Sequence, residues 1–307
     1  MGQRTLTGIS LIAHLWLWPV VGFGQQVKNV PEAFRGISQQ GEVITLINNL
    51  KVPTDGGHLQ GVQVIEKDGM EKLLISGSSL TQAYILQVDI ATKKADRFIP
   101  LMKEPYRHAG GIQVSADYIV VGIEDNIIKT AAKVCLYDYR NDDLYDAQSS
   151  ITIERTGEVE RPTAGATGLL AMEGEYLMVV GNWNSRNWDF YYLNLEKYEQ
   201  KLMESFAAPD EWAAYQSINL IMDEQAIYAI GFYQTDPVGA ADLILVRNKE
   251  TVELVMQKID SKTFKCTNGV DFATAAGLQV DQKGDLHIWG TQRDALERIV
   301  VNKFSQQ

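Results

Sequence analysis

The sequence has few of the residues from which disulfide frameworks and common active-site motifs are built. It contains two cysteines, Cys135 and Cys266, and four histidines among 307 residues. Two cysteines provide neither a disulfide framework nor a Cys-x-x-Cys motif, so we interpret both as small buried residues whose pairing stays open. Gly-x-Ser-x-Gly, phosphate-loop and His-Glu-x-x-His motifs are also missing. The sequence therefore carries no signal for the usual hydrolase elbow, nucleotide loop or zinc-protease site.

Positive charge is scarce as well. The chain has 28 lysines and arginines against 39 aspartates and glutamates, which gives a formal net charge of −11. Binding to nucleic acid or to an anionic membrane surface requires a basic patch. We therefore predict no nucleic-acid partner.

The first 24 residues differ from the rest of the chain. Arg4 is their only charge, an apolar stretch follows it, and the small residues Gly22 and Gly24 precede Gln25. This pattern predicts a signal peptide over 1–24, cleaved before Gln25. The mature protein is then expected to be exported, periplasmic or extracellular, with no membrane insertion after cleavage. The alternative is a buried or membrane-anchoring helix.

The remaining chain contains an internal repeat. Five similar segments, such as "HLQGVQVIE" and "HAGGIQVSA", align on one column that is occupied by Gly61, Gly111, Gly168, Asn219 and Gly277. A second apolar run ends in glycine some residues later in each unit, and these glycines are Gly77, Gly122, Gly181, Gly231 and Gly290. A third apolar run follows in every unit, and a fourth, more polar run follows in four of them. Four short β-rich runs per unit predict a four-stranded antiparallel meander.

The repeat resembles the five-bladed β-propeller architecture in general, with one unit per blade. The fifth unit lacks its outer strand, and the segment "EVITLINN" from Glu42 is expected to supply it and close the ring. We therefore predict an all-β propeller of four-stranded antiparallel blades over 41–307, preceded by an N-terminal extension over 25–40. The WD and kelch signatures are absent. Propellers include enzymes, lectins and docking platforms, so the architecture leaves activity open.

The meander places two sets of residues around one opening of the central channel. One set leads into the first strand of each blade, and the other follows the glycine that ends the second strand. The first set contains His58, His108, Gln216 and Thr274. The second set contains Glu124, Trp183, Tyr233 and Gln292, with Asn182, Arg186, Trp188, Asp189 and Arg293 on the same loops.

Aromatic faces beside amide, carboxylate and guanidinium groups suit a polar ring ligand such as a carbohydrate. His58 and His108 occupy the same position of the first two units, so they are expected to be adjacent and on the same rim as Glu124. Alternatively, the histidines cap their strands, Glu124 is a solvated loop residue, and Trp183 with Trp188 forms a hydrophobic lid. Two histidines and one glutamate fall short of a zinc site, so no metal is predicted, and the sequence leaves the cofactor open.

Three functions remain open. The main hypothesis is an exported propeller that binds a small polar ligand, such as a carbohydrate, without breaking a bond. The alternative is a hydrolase or lyase in which His58 or His108 acts as base and Glu124 or Asp189 acts as acid or orients the imidazole. The third is a scaffold for a protein partner that the sequence does not identify.

Overall fold

The computed structural model describes residues 25–251 and 253–307, so the predicted signal peptide over 1–24 lies outside the described residues. The described chain consists of twenty β-strands, one helix, α1 (Val30–Gly36), and one 3-10 turn (Trp183–Ser185). Within this part of the chain no helix has both the length and the apolar character needed to cross a membrane. The predicted all-β fold class is confirmed.

The strands pair into five antiparallel meanders of four strands each. The first blade contains β2 (Leu59–Lys67), β3 (Met70–Gly77), β4 (Gln82–Asp89) and β5 (Lys94–Lys103). The second contains β6 (His108–Ser115), β7 (Tyr118–Glu124), β8 (Ala131–Asp138) and β9 (Ile151–Thr156). The third contains β10 (Ala166–Met172), β11 (Glu175–Gly181), β12 (Asn187–Asn194) and β13 (Glu199–Ala207). The fourth contains β14 (Ser217–Met222), β15 (Ala226–Thr235), β16 (Val238–Asn248) and β17 (Gln257–Phe264).

The fifth blade takes its outer strand from the other end of the chain. It contains β18 (Val270–Val280), β19 (Leu286–Gln292) and β20 (Arg298–Ser305), and β1 (Glu42–Ile47) pairs antiparallel with β20 in the register Glu42 to Lys303. This is the pairing predicted for "EVITLINN". In the fourth unit the fourth, more polar run is "VELVMQKI", which predicts the outer strand of that blade. The structure differs in detail, because this strand begins at Gln257 and lies mostly beyond that run.

The hydrophobic core consists of layers between neighbouring blades. One cluster joins the first and second blades through residues such as Ile85 and Val121, and a second joins the third and fourth through Phe190 and Ile244. Three further clusters occupy the remaining blade interfaces. Because each fully buried aliphatic or aromatic side chain contributes about 1.5–3 kcal/mol, these layers hold the ring of blades together.

Glycines in the column allow the innermost strands to approach closely. A Cβ atom at Gly277 would lie 1.8 Å from the carbonyl oxygen of Val62, and one at Gly61 would lie 2.5 Å from the backbone nitrogen of Ile112. No larger residue fits at either position without a shift of the backbone.

Amide side chains bridge the inner strands around the axis. Gln63 donates to Asn219 Oδ1 at 3.1 Å, and the Gln113 side-chain oxygen accepts from the backbone N–H groups of Leu169 at 2.8 Å and Leu220 at 2.7 Å. These bonds satisfy buried polar groups of the inner strands and tie neighbouring blades together.

The predicted N-terminal extension begins beside the inner strands, where the Gln25 amide donates to the Val114 carbonyl, and then packs against the fourth and fifth blades. Asn29 caps α1 by accepting from the Glu32 N–H, and the helix buries Phe34 in the same cluster as Phe264 and Phe304. The extension therefore covers the interface between the fourth and fifth blades.

Candidate functional site

A cavity of about 180 Å³ lies at the end of the channel where the inner strands begin. The sequence-predicted residues that line it are His58, His108, Glu124, Asn182, Trp183, Gln216 and Arg293. Segments from all five blades contribute, because the chain enters each blade at this end. The prediction that the two histidines and Glu124 lie together on one rim therefore agrees with the structure.

Glu124 is at the end of β7 and is 1% exposed. Its Oε2 atom accepts from the backbone N–H of Ala164 at 2.8 Å. Burial raises the pKa of Glu124 to about 7, although the Ala164 hydrogen bond and the charge of Lys129 act in the opposite direction. The interpretation of Glu124 as a solvated loop residue is wrong.

His108 faces both Glu124 and His58. Its Nε2 atom lies 3.8 Å from Glu124 Oε1, and its ring centroid lies 5.4 Å from that of His58 in an edge-to-face arrangement. Burial lowers the pKa of His108 to about 3, and the neighbouring His58 adds to the shift. Burial also lowers the pKa of His58. Near neutral pH both imidazoles are therefore uncharged, and the titrating group of the cavity is the Glu124 carboxyl.

Gln60, Asn126 and Tyr215 are among the residues of the cavity wall that were not predicted from the sequence. The Gln60 side-chain nitrogen lies 3.0 Å from His58 Nε2 and 3.2 Å from His108 Nε2, and Asn126 lies on the other side of the His108 ring. Tyr215 contributes an aromatic wall and directs its hydroxyl to Asp242 at 2.6 Å. Gln60 directly precedes a column glycine and Asn126 follows the Glu124–Asp125 pair, but neither amide is distinctive in sequence.

Asp189 is not part of the cavity, which corrects its prediction as a catalytic acid. It belongs to β12, which begins at Asn187, so the preceding loop is shorter than predicted. Its carboxylate accepts from Arg155, Arg161 and Ser205 at 2.6–2.8 Å. Burial would raise the pKa of Asp189, but these hydrogen bonds and the charge of Arg155 outweigh it and lower the pKa to about 2.

Trp188 and Arg186, which lie near Asp189 in the sequence and were predicted as ligand contacts, also make structural contacts outside the cavity. Trp188 is fully buried between the third and fourth blades and donates its indole N–H to the Ser185 carbonyl. Arg186 donates to the carbonyls of Pro209, Trp212 and Ala213, and so ties its loop to the next one. Neither side chain lines the cavity.

Three further predicted contacts lie outside the lining of this cavity. The Tyr233 hydroxyl donates to Asp242, the Thr274 hydroxyl donates to the Asp271 carbonyl, and the Gln292 amide donates to the Asp294 and Arg298 carbonyls. Each side chain is directed into its own blade or loop. Position in the repeat alone did not reveal this direction.

A larger cavity of about 500 Å³ lies at the opposite end of the inner strands, beside Val64, Val114 and Gln25. Its acidic lining residues are Glu66 and Glu71, which are exposed, and Asp281, which is half-buried and lies 3.2 Å from His287 Nε2. A buried carboxyl with a raised pKa, beside one buried and one half-buried histidine, is typical of functional sites, so the smaller cavity is the better candidate. Among the described residues, no group of three or more histidine, cysteine, aspartate or glutamate side chains is arranged to hold a metal ion.

No protein-family model and no curated protein matches this sequence. The fold is similar to that of solved structures of glycoside hydrolase family 43. One is the exo-β-1,3-galactanase of Phanerochaete chrysosporium solved with galactose, at a TM-score of 0.51 and 7% identity over 86% of this chain. The chain spans 65% of that galactanase chain, which is just under two thirds.

A second similar structure is the endo-arabinanase of Bacillus licheniformis. It has a TM-score of 0.50 and 10% identity, and the match covers 83% of this chain and 96% of the arabinanase. The structures of this group are five-bladed β-propellers. The strands of this chain likewise pair into five meanders of four strands. At such low identity the similarity shows the fold alone.

Proposed function

We propose that the protein is a carbohydrate-active enzyme of the hydrolase or lyase class, in which Glu124 carries the proton transfer. The observation behind this proposal is the state of that carboxyl in the axial cavity. It is buried, it is hydrogen-bonded to a backbone N–H rather than to a cation, and burial raises its pKa to about 7. A carboxyl that is half-ionised near neutral pH can act as an acid or as a base, which general acid–base catalysis requires.

The proposed substrate unit is one small polar ring. The cavity, at about 180 Å³, is smaller than ordinary ligand pockets of about 300–1,000 Å³, so it suits a single terminal unit. Trp183 and Tyr215 offer aromatic surface, and Gln216 and Asn126 offer amide groups. Carbohydrates are recognised by this combination of ring surface and hydrogen-bonding groups. The galactanase with a similar fold was solved with galactose, which also supports a sugar.

Glu124 is the one carboxylate among the described residues that line the cavity. Glycoside hydrolysis by paired carboxylates requires a second one about 5–10 Å away. Asp189 does not supply it, because its oxygens are bonded to Arg155 and Arg161. This favours a reaction that needs one titrating carboxyl, such as an elimination or a hydrolysis in which a neutral imidazole orients the water.

Binding without turnover is the second candidate, and the same lone carboxylate favours it.

From the sequence alone we also propose that the protein is exported, with 1–24 as its signal peptide, and that nucleic acid is not its partner.

The test combines turnover and binding. Turnover by the purified protein is assayed with 4-nitrophenyl galactosides and arabinosides. Binding of the corresponding free sugars is measured by calorimetry. We expect turnover that falls by about 10²–10⁴-fold in Glu124→Gln, because one acid–base group usually contributes that much. Binding of the sugars without turnover would favour the second candidate. Full turnover in Glu124→Gln, or neither binding nor turnover of any sugar, would contradict the proposed enzyme.

A further inference from the structure

A cavity that the proposed function does not use lies between the third and fourth blades. Its volume is about 440 Å³, within the ordinary range of about 300–1,000 Å³ for small-molecule sites. Met172 and Met222 line it, and these are the last residues of the inner strands β10 and β14. The cavity therefore lies at the end of the propeller opposite Glu124, whose cavity is at the start of the inner strands.

Arg247, near the end of β16, lines this cavity with a guanidinium that is incompletely bonded. Its Nε–H group is buried and has no hydrogen-bond partner within the described chain. One terminal nitrogen donates to Met172 Sδ at 3.6 Å, and a thioether sulfur is a weak acceptor. Burial lowers the pKa of Arg247, and no described acidic neighbour offsets this effect. Because arginine stays protonated in proteins, the side chain remains a half-buried cation without a bonded counter-charge.

Two other arginines show how this molecule ordinarily accommodates such a group. Arg155 donates from Nε to the Pro162 carbonyl and from its terminal nitrogens to Tyr191 and Asp189. Arg186 donates to backbone carbonyls of the neighbouring loop. With a formal net charge of −11, the chain has many carboxylates that could pair with a cation. A buried donor that is left without a partner is typical of a position where an ion or ligand binds.

The rest of the cavity wall has a charged part and an apolar part. Lys249 adds a second positive charge, and the exposed Glu173 is the acidic residue among the described lining. The apolar part consists of Met172 with the buried side chains of Met222 and Ile227. A ligand that satisfies both parts has an anionic group at one end and an apolar body.

We propose that this cavity binds a small carboxylate with an apolar body. Its carboxylate bonds to the Arg247 guanidinium, and its apolar part packs against Met172, Met222 and Ile227. The planar guanidinium matches a carboxylate in a two-bonded pair, and such charge-assisted bonds are the strong ones. The proposal does not depend on the proposed function, because no residue of the axial cavity takes part in it.

The test measures binding of octanoate to the full chain by calorimetry, with acetate and inorganic phosphate as comparison anions. We expect octanoate to bind about tenfold or more tightly than either, because its chain removes apolar surface from water. Arg247→Gln should weaken octanoate binding by about tenfold or more through loss of the charge-assisted bonds. Glu173→Gln should strengthen it by removing a repelling charge. Arg298→Gln is the matched control, since this exposed arginine of β20 loses the same charge away from the cavity.

Absence of octanoate binding, or equal binding to Arg247→Gln and to the wild type, would overturn the proposal. Acetate or phosphate bound as tightly as octanoate would also contradict it, because the apolar wall would then have no part in recognition. Without any anion, Arg247→Gln should be as stable toward urea as Arg298→Gln, since the substitution removes a cation that lacks a partner. A clear loss of stability, or failure of Arg247→Gln to fold, would show a structural role for Arg247 and overturn the proposal as well.

Discussion

Two buried carboxylates in this molecule have opposite acid–base behaviour. Glu124 is 1% exposed and Asp189 is 2% exposed, so depth of burial does not separate them. Asp189 is bonded to Arg155 and Arg161, and its pKa is lowered to about 2 despite the burial that would raise it. Glu124 has one backbone N–H, and burial raises its pKa to about 7. The partners, not the burial, decide whether a carboxyl is fixed as a charge or is ready to exchange a proton.

The comparison also separates structural from functional chemistry. The ion cluster of Asp189 joins the second and third blades, since Arg155 belongs to β9 and Asp189 to β12. Glu124 joins nothing by charge and faces a cavity. A carboxyl kept in an environment that disfavours its ionised form costs stability, which is typical of a site retained for function.

The largest effect on stability is expected from Asp189→Asn. The substitution leaves the buried Arg155 guanidinium without its anionic partner, and removing one member of a buried pair costs about 3–5 kcal/mol. Urea unfolding measures the loss. Ser205→Ala is the control within the cluster, because it removes one hydrogen bond to the charged carboxylate, worth about 1.5–3 kcal/mol. A loss for Asp189→Asn no larger than that of the control would show that the cluster is not a structural linkage.

A smaller effect with the opposite sign is expected from Glu124→Gln. Burial raises the pKa of Glu124 from its ordinary value of 4.5 to about 7, so the native state holds this proton more tightly than the unfolded state. Its contribution to stability is complete below pH 4.5 and is lost as the pH rises through about 7. The neutral glutamine avoids this loss. The variant should exceed the wild type by at most about 3 kcal/mol above pH 8, with little difference near pH 4.

Unfolding by urea between pH 4 and pH 9 checks this, with the exposed Glu199→Gln as the control for loss of one negative charge. His108 acts in the opposite direction, because burial lowers its pKa and its contribution is lost as the pH falls below 6.5. Both variants should therefore be compared with the wild type at each pH. A Glu124→Gln difference that does not grow with pH would contradict the raised pKa.

Much of the fold could be predicted from the sequence, because each blade repeats four strands and the column glycines mark where the inner strands approach. The alignment of the repeated units also placed His58, His108 and Glu124 at the same end of the channel. It did not distinguish side chains directed into the cavity from those directed into a blade. Alternate residues of a strand face opposite sides, and β12 begins two residues before Asp189. Gln60 and Asn126 were missed because their role depends on hydrogen bonds between blades.

The smallest predicted effect concerns Lys129, the cation whose charge most opposes the upward shift of the Glu124 pKa. Its ammonium lies 3.4 Å from the centroid of the Trp183 ring and 3.3 Å from Glu160 Oε1. Lys129→Met removes this charge, so the Glu124 pKa should rise further. Stability should fall by about 0.5–1 kcal/mol through the lost cation–π contact.

The free energy of unfolding is measured against pH for Lys129→Met and for the double variant that also carries Glu124→Gln. The pH midpoint of the difference between the two curves reports the Glu124 pKa. Lys133→Met is the matched control, because Lys133 also has an acidic partner, Glu154, and an aromatic one, Tyr106, but is not among the charges that act on Glu124. A midpoint that moves downward, or moves equally in both lysine variants, would mean that Lys129 does not act on Glu124. An upward shift that is specific to Lys129 would show that a cation lowers the pKa of Glu124 even without a direct bond. Glu124 and Asp189 would then differ in how closely cations contact them, because the directly bonded arginines hold the pKa of Asp189 low.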